Sequence, residues 1–166
     1  MSAAPSYEAL TVLASEILDA ARGRGDAIAT AESCTGGLVS TALTSVPGSS
    51  DVFDRGFITC TNTAKSQMLQ VPAWLIEKHG AVSEEVARAM AVGALMHSNA
   101  TIAVAITGIA GPGGGSVDKP VGLVHFAAGR RELPMQHQRV EFGDLGRDEV
   151  RRCSAEYALR MLGALT

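Results

Sequence analysis

The chain is short of aromatic residues, cysteines and basic clusters, and each shortage removes a class of function. It holds one tryptophan, two tyrosines and four phenylalanines in 166 residues. Fourteen Lys and Arg stand against seventeen Asp and Glu, a formal net charge of −3, with no basic run to neutralise a phosphate backbone. Nothing basic or aromatic is arranged for nucleic acid, so nucleic acid is not an expected partner. Cys34, Cys60 and Cys153 form no C-x-x-C pair and cannot all pair within one chain, so reduced thiols are expected. His79, His97, His125 and His137 have no metal-ligand spacing among themselves or with the cysteines, so no metal is expected. The apolar stretches are too short to cross a bilayer. The opening segment carries Glu8, Glu16 and Asp19 in a helical pattern where a signal peptide would be basic. A cytoplasmic location away from membranes is expected.

What is plentiful is small and aliphatic. The hydrophobic share is 46% and the charged share 19%, a globular composition that suits helices packed closely on a sheet. The length fits one domain, residues 1–166, and no repeat or linker divides it. Leu10, Leu13, Ala14, Ile17, Leu18 and Ala21 recur at helical spacing, which predicts a helix over 7–22 ended by Gly23 and Gly25. Strands are expected at 27–31, 57–61 and 101–107, the last apolar enough to be covered on both faces. Helices are expected after Gly37, over about 63–69, briefly after Pro72, from Ser83 to about 98 and over about 145–165. Residues 121–128 and 135–142 read as an antiparallel pair. The fold class expected is therefore α/β, with a mixed sheet between helical layers.

Two loops stand out. Ala31-Glu32-Ser33-Cys34-Thr35-Gly36-Gly37 lies where a strand hands over to a helix, a junction whose outward N–H groups can cradle an anion or an oxyanion. Ser33 at its tip could be a nucleophile. Equally, Ser33 or Thr35 could serve only as a helix cap and the glycines only for packing. The loop is no P-loop, and Gly111–Gly115 is no dinucleotide fingerprint. A nucleophilic serine needs a base. No histidine stands in a recognisable motif, whereas Lys65 follows a predicted strand and could serve if burial lowered its pKa; otherwise it is a solvated lysine. The second loop, 108–120, holds five glycines and two prolines and follows the most buried strand, where ligands collect in open α/β sheets.

Taken together, Ala31–Gly37, Val46-Pro-Gly-Ser-Ser50, Asn62-x-x-Lys65, Gly80-Ala-Val-Ser83, Thr107-Gly-Ile-Ala-Gly-Pro112 and Lys119-Pro-Val-Gly122 resemble the C-terminal domain family of the competence-damage-inducible protein CinA. The motifs occur in the family's order and span residues 8–164. Members include stand-alone nicotinamide-nucleotide amidohydrolases, whose size this chain matches. The resemblance implies a three-layer α/β/α sandwich and conversion of nicotinamide mononucleotide to nicotinate mononucleotide and ammonia, in pyridine-nucleotide salvage, without a cofactor. It implies Ser33 as nucleophile, Lys65 as general base, and Cys60 where the family usually has a catalytic tyrosine. The N–H groups of Cys34, Thr35, Gly36 and Gly37 would hold the oxyanion. Ser49, Ser50, Thr107, Gly108 and either Arg147 or Arg151 would hold the phosphate. A homodimer is expected from the resemblance and the apolar late strands. Because a thiol is shorter than a phenol and a weaker donor, Cys60 keeps two other readings open. One is a non-catalytic nucleotide-binding or regulatory module, the other an amidase for a different small carboxamide.

Overall fold

The computed structural model describes residues 3–166. Ser6 starts the first helix, α1 (Tyr7–Arg24), by accepting a hydrogen bond from the Ala9 N–H at 3.0 Å. Gly25 ends it in the left-handed conformation at φ 71°. Gly23, expected to be part of the stop, stays inside the helix. Then follow β1 (Ile28–Glu32), α2 (Leu38–Thr44), a short 3-10 turn (Ser49–Asp51), β2 (Phe53–Ile58), α3 (Asn62–Leu69), α4 (Ala73–His79) and α5 (Glu84–Met96). The chain closes with β3 (Ile102–Gly108), β4 (Leu123–Arg130), β5 (Gln136–Glu141) and α6 (Arg147–Leu165).

The strands form one sheet in the order β2-β1-β3-β4-β5. β1 runs parallel to β2 and β3, while β4 and β5 are antiparallel additions, so the sheet is mixed as expected. Side chains alternate between its faces. Ile102, Val104 and Ile106 pack under α1, α2 and α6, against residues such as Leu10, Val39 and Leu159. Ala29, Ala31, Ala103 and Ala105 face α3, α4 and α5. Small side chains on that second face let the helices come close. At Gly93 of α5 an added Cβ would stand 2.1 Å from the Leu69 carbonyl oxygen at the end of α3. That close approach seats α3, and with it Lys65, down on the sheet.

One strand departs from expectation. β2 covers Phe53–Ile58 instead of 57–61, because its middle, Asp54-Arg55-Gly56, is exposed on an edge strand and carries no apolar signal. Cys60 therefore lies past the strand, on the exposed connection into α3. No described helix is long and apolar enough to cross a membrane.

Candidate active site

The site lies at the carboxyl ends of β1, β2 and β3. Ser33 continues the line of β1, and its N–H donates to the Ile106 carbonyl of β3 at 3.0 Å. By alternation its side chain follows Ala29 and Ala31 onto the face covered by α3 and α5. There Lys65 waits. Thr61 caps α3 by accepting from the Ala64 N–H, and Lys65 follows in the helix's first turn, 1% exposed. Its Nζ is 3.0 Å from Ser33 Oγ and donates to the Thr59 carbonyl at 2.9 Å. Burial pushes the Lys65 amine below its ordinary pKa, toward the neutral form a base needs; a thiolate at Cys60 or Cys34 would act the other way. Among the described residues no histidine hydrogen-bonds Ser33. His125 is turned toward His137, with their ring nitrogens 2.8 Å apart.

The turn between β1 and α2 is closely held. Gly36 and Gly37 have φ of 59° and 101°, a left-handed region that other residues rarely adopt. A Cβ on Gly37 would also stand 2.9 Å from the Ile58 side chain. The Gly36 N–H donates to the Ser33 carbonyl and the Leu38 N–H to the Thr35 carbonyl. Arg151 of α6 donates to the carbonyls of Cys34 and Thr35, both at 3.1 Å. The N–H groups of Cys34, Thr35 and Gly37 donate to no described residue. They belong to the turn that follows Ser33, the segment whose N–H groups an oxyanion on a Ser33 adduct would meet.

A residue with no role assigned from sequence closes the arrangement. Glu32 is fully buried. Its carboxylate accepts from Thr35 Oγ1 at 2.7 Å, the Val39 N–H at 3.0 Å, the Ser40 N–H at 3.0 Å and Ser40 Oγ at 2.6 Å. It takes up the first turn of α2, where Gly37 has no side chain to cap with. Only its place directly before Ser33 hinted at this. A glutamate at the end of a fully buried strand gives no other sign in sequence.

A model of the CinA C-terminal domain matches residues 10–166. The chain belongs to that family. It is 47% identical over 154 residues to the nicotinamide-nucleotide amidohydrolase PncC of Escherichia coli K12, covering 92% of each chain. It is 50% identical over 152 residues to a CinA-like protein of Chlorobium phaeovibrioides, matching 88% of this chain and 35% of that one. The chain thus spans about a third of the length of such CinA-like relatives. The crystal structure of competence/damage inducible protein CihA from Agrobacterium tumefaciens superposes with a TM-score of 0.92 at 49% identity, over 99% of this chain and 98% of that one. The three-layer α/β/α fold expected from the CinA resemblance is the fold observed.

Other residues expected from CinA motifs differ in where they lie. Thr107 and Gly108 end β3 beside Ser33, but the buried Thr107 hydroxyl donates to the Ala81 carbonyl at 2.8 Å, and Gly108 packs against Val124 and Leu123. The arginines are engaged by backbone. Arg151, half-buried, holds the 34–35 carbonyls, while exposed Arg147 donates to the Gly111 carbonyl at 2.8 Å.

Ser49 and Ser50 are not brought to the site. They precede β2, whose first residue Phe53 pairs with Ile28, the first of β1, whereas Ser33 follows the last. The length of β1, about 15 Å at 3.3 Å per residue, separates the two ends, so within one chain the serines cannot join Ser33. Cys60 is exposed and has no hydrogen bond to Ser33 or Lys65. Burial pushes the Cys34 thiol up to about 12, so it stays protonated near neutral pH and is a poor nucleophile. Among the described residues, no group of three or more His, Cys, Asp and Glu could hold a metal ion.

Proposed function

We propose that the chain hydrolyses the carboxamide of nicotinamide mononucleotide, giving nicotinate mononucleotide and ammonia as a step of pyridine-nucleotide salvage. The observation that carries the proposal is the buried Lys65 amine 3.0 Å from Ser33 Oγ, where the turn into α2 begins. The E. coli relative that aligns over 92% of both chains is named for this activity.

In this reading neutral Lys65 takes the hydroxyl proton as Ser33 Oγ bonds to the carboxamide carbon. The carbonyl oxygen becomes an oxyanion held by the N–H groups of Cys34, Thr35 and Gly37, each donor worth about 100- to 1,000-fold in rate. The C–N bond then breaks, and ammonia leaves with the proton carried by Lys65. Water attacks the ester on Ser33 while Lys65 takes its proton, and the carboxylate leaves as Ser33 regains a hydrogen. These steps draw on no cofactor. Arg147 is the freer phosphate ligand, because it is exposed and donates to one carbonyl where Arg151 donates to two. The proposal also places the protein in the cytoplasm and as a homodimer. The exposed edge strands β2 and β5 leave backbone groups open to a second copy.

Exposed Cys60, standing where the family usually has tyrosine, favours an alternative: either a non-catalytic module that binds pyridine nucleotides, or an amidase for another small carboxamide. Ammonia release from nicotinamide mononucleotide decides between the readings. Release by the wild-type protein is the expected result. Release by Cys60→Tyr alone would favour the alternative, and release by neither would overturn the assignment.

A further inference from the structure

We infer that Glu32 is the positioning residue of this site: its buried carboxylate sets the turn that carries Ser33 and the N–H groups of Cys34, Thr35 and Gly37 that follow it. The inference rests on the reading of Ser33 as a nucleophile, but not on the identity of the amide.

Glu32 acts from both ends. Its side chain reaches forward from β1 to the second and third N–H groups of α2, at Val39 and Ser40, and to the hydroxyls of Thr35 and Ser40. Its carbonyl reaches sideways, accepting the Thr59 N–H at 2.8 Å. The carbonyl of Thr59 in turn receives Lys65 Nζ. One residue therefore joins the nucleophile's turn to the segment that holds the base. The arrangement also fixes where an external anion can go. A helix start with unfilled N–H groups attracts anions, and here the protein supplies its own carboxylate. Charge developing on the substrate is left to the N–H groups of the turn itself, nearer Ser33.

Four donors converge on a fully buried carboxylate, two on each oxygen, so it cannot be exchanged for an amide without placing an NH2 against another donor. Glu32→Gln keeps the volume and makes that change. The turn then shifts, and a displacement of about 1 Å at a reacting group costs about 100-fold in rate.

The test measures acylation of Ser33 by p-nitrophenyl acetate, followed by peptide mass spectrometry, together with kcat and KM for nicotinamide mononucleotide. Glu32→Gln is expected to lower both the acylation rate and kcat about 100-fold and to leave KM within about threefold. Thr35→Val and Ser40→Ala each remove one donor and are expected to lose about tenfold; they decide the matter if Glu32→Gln does not fold. Variants that lose thermal stability while their folded fraction is acylated at the wild-type rate would overturn the inference. So would a wild-type Ser33 that resists acylation. Acylation that depends on Glu32, without ammonia release from nicotinamide mononucleotide, would uphold the positioning role and reject the proposed substrate.

Discussion

Lys65 Nζ donates to the Thr59 carbonyl at 2.9 Å, and this bond orients the amine toward Ser33. A neutral amine has two N–H groups and one lone pair. With one N–H spent on Thr59, the lone pair can face the Ser33 hydroxyl 3.0 Å away. Burial lowers the pKa of Lys65, and only its deprotonated form is a base. The rate constant kcat/KM should therefore rise about tenfold per pH unit below that pKa and level off above it, at a pH lower than 10.5, the ordinary lysine value. A rate independent of pH across that range would contradict the assignment of Lys65 as base.

Arg147 and Arg151 sit one helical turn apart but should separate in kinetics. Arg151 holds the turn itself through two carbonyls, so Arg151→Ala should lower kcat toward nicotinamide mononucleotide and nicotinamide riboside alike. Arg147→Ala should raise KM for the mononucleotide about 10- to 100-fold, as expected for losing a charge-assisted bond. The riboside, which lacks the phosphate, should be unaffected. Steady-state kinetics on the two substrates would show whether the split exists.

His125 makes the fold sensitive to acid. Burial first, then His137, Arg139 and Lys119, lower its pKa to about 4, with Glu84 acting the other way. The unfolded chain binds this proton below its ordinary 6.5, the folded chain only near 4. The stability this neutral histidine supports is thus present above pH 6.5 and lost as pH falls from 6.5 to about 4, on the order of 3 kcal/mol in all. Thermal melts of the wild type should show that fall, and His125→Gln should flatten it. Equal slopes in both proteins would contradict the prediction.

Much of the architecture was legible in the sequence because the strands under both helical layers are apolar and the helices carry caps. Ser6, Thr61 and Ser83 each accept a hydrogen bond from an N–H in the first turn of a helix. What could not be read was decided by the sheet. The polar edge of β2 hid its bounds, and the parallel pairing of β1 with β2 carried Ser49 and Ser50 to the end opposite Ser33. Lys65 was legible only as a possible base, since burial of a lysine depends on Gly93 and Leu69 bringing helices together. Glu32 was legible only through its place before Ser33, because its four donors come from a turn and a helix whose geometry the sequence pattern does not reveal.

The central claim is that Ser33 and Lys65 form the reacting pair. The most direct measurement is kcat for ammonia release from nicotinamide mononucleotide by Ser33→Ala and Lys65→Met, each checked for a wild-type fold. The account predicts that each substitution costs at least about 1,000-fold and that the double variant loses little more, because the two groups act as a unit. Retention of the wild-type rate by either variant would contradict it.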